Sequence, residues 1–368
     1  MATRRSPHQL GLFPPGPASD PAGDPPSRTH DGVPTPEPQL ALFGHAEPPA
    51  SSEADGARRV GAAPPNDELV ALAATLPSCI RMGTSSWSFP GWAGLVYAPG
   101  RYTANRLSNA GLAAYGRHPL LRAVGVDRTF YGSVEADVFR AYAAQVPSDF
   151  RFLVKAQDVC TTPFDRGRGT VNAHFLDPVW AAEVVVRPCA DGLEDHAGPL
   201  LFQFPPLPVG RLGGVREVHA RLRAFLDGLP RGPWYAVEFR NPELFTAEWY
   251  ADMAARDVSA CVNVHPAAAG LPQQREQLAQ ASSSRLVVRW MLRPDRHYAE
   301  AKEEFAPFDQ RLEPDDESVD ELSRTLLWWA DRGEGVVIVN NKAEGSSPLS
   351  IEALSRRWSA LRSGPPKV

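Results

Sequence analysis

The sequence lacks several features, each of which would have assigned it to a class. No apolar run is long enough to span a membrane, and the N-terminal residues MATRRSPHQLGLFPPG contain no apolar core of the kind found in secretory signals. The four cysteines stand far apart and form no CxxC or Cys/His pair, so we expect reduced thiols rather than disulfides or metal ligands. These absences predict a cytoplasmic protein with no membrane partner.

Phosphate-binding glycine motifs and an excess of positive charge are also missing. No strand-like run is followed by GxGxxG or GxxxxGK, which disfavours a dinucleotide fold and a P-loop. The formal net charge is -5 and the pI is near 6.0, so no global basic field attracts the chain to nucleic acid. Any polyanion must therefore be bound by a local cluster of basic residues.

The N-terminal segment differs in composition from the rest of the chain. Residues 1–77 contain 15 of the 37 prolines and neither Tyr nor Trp. Such a segment cannot bury enough apolar surface to offset the loss of chain entropy on folding. We therefore expect a disordered, proline-rich tail over residues 1–77, with a weak helix at Asp67–Thr75, followed by one folded domain over residues 78–368.

Two short apolar clusters stand out in this tail. Residues 9–13 and 39–43 share the form QLxLF, and prolines flank both. The form resembles the pentapeptide by which bacterial proteins bind the DNA polymerase sliding clamp, which implies this clamp as a partner reached by tethered docking. Incidental apolar spots are the alternative. The expected clamp-binding residues are Gln9, Leu12, Phe13, Gln39, Leu42 and Phe43.

From residue 80 onward, short β-rich runs alternate with helical patterns. Eight such runs separated by helices predict a single parallel TIM-type (β/α)8 barrel rather than an open sheet. The predicted strands are Ile80–Ser85, Ala123–Phe130, Phe150–Lys155, Leu200–Phe204, Tyr235–Phe239, Ala260–Val264, Leu286–Trp290 and Val336–Asn340. The predicted helices include Val134–Val146, Val215–Leu226, Thr246–Arg256, Ser318–Asp331 and Ile351–Leu361.

Catalytic groups of such barrels come from the carboxyl ends of the strands and the loops that follow them. At these ends we expect Lys155 to act as base, nucleophile or anion ligand, and Glu238 to act as general base, with Asp127 or His265 sharing in proton transfer. Salt bridges, an internal Glu–Arg layer and core packing of the aromatic residues are the structural alternatives. The expected substrate-binding residues are Ser86, Trp87, Tyr131, Gln203, Arg240, Arg289, Asn340, Asn341 and Lys342.

The predicted mouth of the barrel is poor in metal ligands. The strand ends supply one histidine among Lys, Arg, Asn and Gln, whereas a transition-metal site needs several converging His and carboxylate groups. We expect no metal site and no cofactor. Only Mg²⁺ held through a substrate phosphate, with Asp127 or Glu238, is compatible with these residues.

Seven motifs occur in a fixed order after the tail, namely GTSSWSFPGW, VDRTFYG, FRFLVKA, GPLLFQFPP, YAVEFRNP, VVRWM and VIVNNKAEG. Together they resemble the YecE-like bacterial family, domain of unknown function 72, which implies a TIM barrel but supplies no reaction. The chain differs from the commoner family pattern VEINSTFY, because Gly125, Asp127 and Arg128 replace its Glu, Asn and Ser. These differences indicate a distinct subgroup.

The leading functional prediction is an enzyme, a hydrolase or lyase that is metal-independent or Mg²⁺-assisted. Its expected substrate is a phosphorylated or nucleotide-like anion, either a small molecule or nucleic acid. The clamp-like peptides extend this prediction to DNA repair or replication. The alternative is a non-catalytic adaptor that binds a nucleotide or a nucleic-acid end while its tail docks on the clamp.

Overall fold

The computed structural model describes residues 59–364 except 65, 166, 168 and 282. The peptides at 9–13 and 39–43 lie outside the described residues. The predicted helix is confirmed as α1 (Asp67–Thr75), whose N-terminus is capped by the Asn66 side chain accepting the N–H of Leu69 at 2.7 Å. Residues 59–77, which the sequence analysis assigns to the tail, include two buried side chains, Val60 and Leu72.

A parallel sheet of nine strands, nearly closed into a barrel, forms the centre of the described structure, in agreement with the predicted fold class. Neighbouring strands follow the order β6-β5-β4-β3-β2-β1-β9-β8-β7. The strands are β1 (Ile80–Thr84), β2 (Ala123–Val126), β3 (Arg151–Lys155), β4 (Ala197–Gln203), β5 (Tyr235–Glu238), β6 (Ser259–Ala260), β7 (Val262–Val264), β8 (Arg285–Trp290) and β9 (Glu334–Val339).

Helices surround the sheet. Those after α1 are α2 (Ala104–Ala110), α3 (Leu112–Tyr115), α4 (Ala136–Ala143), α5 (Pro178–Ala181), α6 (Arg187–Leu193), α7 (Val215–Gly228), α8 (Ala247–Ala255), α9 (Leu271–Ala281), α10 (Tyr298–Glu304), α11 (Asp316–Trp329) and α12 (Ser347–Ser363). Each of the five helices predicted above overlaps one of these. Within the described residues, no helix combines the length and the apolar character that crossing a membrane requires.

The sixth predicted strand is divided in two, which explains why nine strands replace the expected eight. Cys261 separates β6 from β7, and its N–H donates to the carbonyl oxygen of Val237 at 2.9 Å. β6 pairs with β5, whereas β7 pairs with β8. The two edges of the sheet therefore meet at one interrupted segment. A second difference is that β2 ends at Val126, because residues 128–130 form a 3-10 turn.

The interior of the barrel changes from apolar to polar along the strands. A buried apolar cluster fills its centre, and it consists of Ala123, Leu153, Leu201, Trp234, Ala236, Cys261, Val287, Val336 and Ile338. Alternate residues of a strand point to the same face, so a residue two positions further on also points inward. At the carboxyl ends that residue is polar on six strands, giving Lys155, Gln203, Glu238, Asn263, Arg289 and Asn340. We call these six residues the polar ring.

Candidate functional site

Glu238 is the central anion of the polar ring. Its carboxylate is fully buried, with one oxygen 2.5 Å from Nη1 of Arg289 and the other 2.5 Å from Nη2 of Arg240. Burial raises the pKa of Glu238, but the charges of Arg240, Arg289 and Lys155 outweigh burial and hold this pKa at about 2. A general base works best when its pKa lies near the working pH. The geometry therefore favours an ionised carboxylate that orients two arginines over the general base expected from the sequence.

Arg289 joins three strands at the carboxyl end of the barrel. Its Nη1 donates to Oε1 of Gln203 at 2.8 Å as well as to Glu238, and the whole residue is 2% exposed. Burial lowers the pKa of Arg289, but the charge of Glu238 more than compensates and raises it. Gln203 is thus a hydrogen-bond partner of Arg289.

Several buried polar atoms at the barrel mouth have no hydrogen-bond partner among the described residues. They are Nη1 of Arg240, Nε of Arg289, and both side-chain atoms of Asn263, which is 2% exposed. Leaving a buried donor or acceptor unpaired costs about 1–3 kcal/mol, so native proteins seldom keep such groups without a purpose. These atoms belong to three neighbouring residues at one end of the barrel, and a polar ligand bound there could pair with them.

Lys155 is a buried amine next to these arginines. The residue is 9% exposed, and its Nζ lies 3.7 Å from the centre of the Phe130 ring. Its ammonium makes no hydrogen bond or ion pair within the described residues. Burial lowers the pKa of Lys155 to about 8, with the charge of Asp127 opposing the shift and that of Arg289 adding to it. Lys155 can therefore exchange a proton near neutral pH.

Lys342 is a second buried lysine at the mouth. Its Nζ lies 3.4 Å from Oδ1 of Asn340 and 4.3 Å from the centre of the Tyr298 ring. Burial lowers the pKa of Lys342 to about 8, against the charge of Asp127. Asn340 also donates to Oγ of Ser85 at 3.1 Å, which ties the end of β9 to the end of β1. Half-buried Asp127 influences both lysines and is the second carboxylate among the predicted site residues.

His265 is half-buried just beyond β7. Its Nδ1 accepts the backbone N–H of Ala267 at 3.0 Å. Burial and the nearby Arg240 lower its pKa to about 4, so the imidazole is neutral at physiological pH. With Nδ1 accepting, the proton of the neutral ring is on Nε2. The residue is therefore equipped to donate a hydrogen bond.

Three predicted substrate-binding residues have structural contacts instead. Trp87 is 5% exposed, its Nε1 donates to the carbonyl oxygen of Leu107 in α2, and its ring packs edge-on against Tyr142 of α4. Asn341 is 1% exposed and its Oδ1 accepts from Ser347 at the start of α12. Half-buried Ser86 lies 3.2 Å from the hydroxyl of Ser88. We place the first two in the packing of the surrounding helices.

Tyr131, a predicted substrate-binding residue, lies at the surface. Tyr131 is 38% exposed, and its ring packs edge-on against Phe130, the residue that covers Lys155.

Asn263 is absent from the predicted site, although it belongs to the polar ring. Its backbone N–H and carbonyl are both held by the Gln274 side chain of α9 at 2.9 Å. The sequence did contain a signal for Asn263. It lies two positions after the inward-facing Cys261, as Arg289 lies two positions after the inward-facing Val287 in the paired strand.

Acidic, histidine and cysteine side chains do not gather at the mouth. Over residues 59–364 and their stated gaps, no group of three or more such side chains is placed to hold a metal ion. The predicted site residues instead include four basic side chains, Lys155, Arg240, Arg289 and Lys342, and two carboxylates, Asp127 and Glu238. The mouth is therefore a local cationic cluster in a chain of net negative charge.

A comparison with known proteins places this arrangement among known folds. A family model described as a protein of unknown function, DUF72, matches residues 81–367. The crystal structure of a DUF72 family protein from Enterococcus faecalis matches with a TM-score of 0.52 and 16% identity, covering 76% of this chain and 96% of that one. Another from Thermotoga maritima matches with a TM-score of 0.52 and 18% identity, covering 77% of this chain and 99% of that one. At these identities the structural likeness shows the fold alone, and no curated protein sequence matches the chain.

Proposed function

The chain belongs to the DUF72 family of proteins of unknown function, as its motifs indicate, and we propose that in this member the barrel mouth is an enzyme active site for a phosphorylated or nucleotide-like anion. The observation that carries the proposal is the set of unpartnered, buried donors on Arg240, Arg289 and Asn263. An anion with several acceptor oxygens would satisfy them together.

The two arginines are well suited to bind such an anion. Guanidinium groups recognise phosphate and carboxylate oxygens through paired N–H donors. Glu238 occupies one side of each guanidinium, which fixes its orientation, while Nη1 of Arg240 and Nε of Arg289 keep unused donors. Pre-oriented donors in a site shielded from water stabilise anionic charge better than mobile surface side chains do.

In this proposal the residues have distinct roles. Lys155 transfers the proton, since its pKa of about 8 lies near physiological pH. Glu238 and Gln203 are positioning residues for the arginines. Lys342, with Asp127, extends the cationic surface, and His265 donates a hydrogen bond. Mg²⁺ carried on the substrate phosphate, with Asp127 as a ligand, is part of the same proposal.

The first test measures anion binding. We expect adenosine 5′-monophosphate and inorganic phosphate to bind the purified protein saturably in calorimetry, with and without Mg²⁺. Arg240→Gln is expected to weaken this binding by about tenfold or more, because it removes a charged donor worth about 1.5–3 kcal/mol. The matched control is Arg357→Gln, which removes an exposed arginine paired with Asp320.

Each outcome of this experiment has a clear meaning. Equal affinities of the Arg240→Gln and Arg357→Gln variants, both with melting temperatures near wild type, would remove the anion site from the mouth. Binding without turnover of any phosphorylated compound would favour the alternative of a non-catalytic nucleotide-binding adaptor. Loss of turnover in Lys155→Gln with binding retained would support the enzyme.

A second part of the proposal is that the tail docks on the bacterial sliding clamp. It is supported by the two QLxLF peptides at 9–13 and 39–43. Docking peptides of this length bind at the weak end of the affinity range, near tens of micromolar, and two copies raise the apparent affinity on a ring with several sites. The clamp would connect the barrel to DNA repair or replication.

The clamp test uses the full chain and the purified clamp. We expect saturable binding that is lost when residues 12–13 and 42–43 are all changed to Ala, and partly lost when one pair is changed. The Arg240→Gln variant should bind the clamp as wild type does, since its tail is intact. Absence of binding at tens of micromolar would remove the link to DNA and leave small phosphorylated metabolites as the substrates to screen.

A further inference from the structure

Lysine is rare in this chain, and its distribution is uneven. Only four of the 38 basic residues are lysines, at positions 155, 302, 342 and 367. Lys155 and Lys342 are buried at the barrel mouth, whereas Lys302 is exposed on α10. Arginine supplies nearly all other positive charge. An arginine cannot lose its proton in a protein, whereas a lysine can. Lys155 and Lys342 can therefore become uncharged amines, which an arginine in either position could not.

The surroundings of Lys155 leave its nitrogen without a polar partner among the described residues. Its Nζ faces the Phe130 ring at 3.7 Å and has no hydrogen-bond acceptor within the described residues. Lys342 differs, because its Nζ points to the Asn340 side chain at 3.4 Å. A desolvated lysine beside other cations is the standard form of an amine nucleophile. Its pKa of about 8 is consistent with this environment.

We propose that Lys155 is an amine nucleophile, and that the anionic substrate of the mouth carries an aldehyde or ketone with which Lys155 forms an imine. This inference rests on the proposed function, because Arg240 and Arg289 would hold the anionic group while the carbonyl reaches Nζ. It deepens that function by naming the substrate class. Carbonyl compounds bearing a phosphate or carboxylate fit both parts of the site.

The chemical step balances without a further reagent. The lone pair of neutral Nζ forms a bond to the carbonyl carbon, and the carbonyl π electrons move to oxygen, which gains a proton. A proton lost from nitrogen balances the one gained by oxygen, which gives a neutral carbinolamine. The nitrogen lone pair then expels the hydroxyl group, which takes up a proton from solvent and leaves as water, so that a protonated C=N bond remains. The protonated imine then withdraws electrons from the adjacent carbon, and addition of water restores both the lysine and a carbonyl product.

Pyridoxal 5′-phosphate is the probe, because it joins an aldehyde to a phosphate. The protein is incubated with it at pH 8, reduced with borohydride, and analysed by peptide mass mapping. We expect adduct formation at Lys155 at least about tenfold faster than at exposed Lys302, since about half of an amine with a pKa of about 8 is uncharged at this pH. Pyridoxine 5′-phosphate, which lacks the aldehyde, should protect Lys155. Pyridoxal, which lacks the phosphate, should react more slowly.

Lys302 is an internal reference, so the test does not depend on a variant folding. Lys155→Arg should abolish the fast adduct, and Lys302→Arg should leave it unchanged. Reaction of Lys155 no faster than Lys302, while pyridoxine 5′-phosphate still binds, would overturn the imine and leave the anion site standing. Fast reaction with pyridoxal and no protection by pyridoxine 5′-phosphate would overturn the proposed anion site and with it the substrate class.

Discussion

Replacing Glu238 with Gln is expected to lower the free energy of unfolding by about 3–5 kcal/mol, the usual cost of removing one partner from a buried ion pair. The carboxylate is 0% exposed and contacts two guanidinium groups, of which Arg289 is 2% exposed. Without it, the positive charges of Arg289 and Arg240 lose their shared anion. Arg289 has no contact with bulk water to replace it, and the Arg240 side chain is only 11% exposed. Urea unfolding at pH 7, followed by tryptophan fluorescence, measures the change.

Glu344→Gln is the matched control for this prediction. Glu344 is also 0% exposed, but its main partner Arg311 is 23% exposed and can turn toward water when the carboxylate is lost. We expect a smaller loss of stability, about 1–3 kcal/mol. Equal losses in the two variants would show that the lower exposure of Arg289 and Arg240, compared with Arg311, adds no cost. Phosphate should restore part of the lost stability in Glu238→Gln alone, since an anion at the mouth can replace the missing charge.

Replacing Lys155 with Met is expected to remove a pH-dependent part of the stability. The pKa of Lys155 in the folded protein is about 8, chiefly because of burial. An unfolded lysine titrates near about 10.4, so between these two pH values only the unfolded chain binds the extra proton. Relative to the Met variant, the stability of the wild type therefore rises from pH 8 to about 10.4, by about 3 kcal/mol in total. Below pH 8 both states of wild type are protonated and the difference is constant.

At pH 7 the buried charge of Lys155 lowers the stability of the wild type relative to the Met variant. Wild type then keeps a buried charged amine, whereas Met in this position buries no charge, and we expect the Met variant to be the more stable protein. Urea titrations of both proteins at pH 7, 9 and 10.5 measure the difference. Other titrating groups are common to the two proteins and cancel. A difference between wild type and Lys155→Met that stays the same at all three pH values would mean that the Lys155 amine is not desolvated.

These two expectations also show why a site that costs stability would be retained. Lys155, Arg240 and Arg289 concentrate positive charge in a place that an apolar interior would fill more favourably. Active sites commonly keep such destabilising groups because the chemistry needs them. The same residues that are expected to lower stability are the ones that the proposed function uses.

The sequence was sufficient to predict which strands form the barrel and which of their residues lie at its mouth. Period-two alternation follows from the geometry of a single strand, so Lys155, Glu238 and Arg289 could be placed on the inner face from local pattern alone. The order of the strands follows from parallel β/α connectivity. Both arguments need only neighbouring residues, which is why they succeed.

Only the tertiary structure decided which partner each side chain meets. Glu238 contacts Arg289 from a strand 51 positions away, and this contact, rather than the type of residue, keeps its carboxylate ionised. The same reason explains why Trp87 packs between helices, why Asn341 caps α12, and why Cys261 divides one strand into two. Burial and charge at a point depend on every element that surrounds it. The local sequence therefore predicted every position of the polar ring except Asn263, and the folded chain determined the contacts of its members.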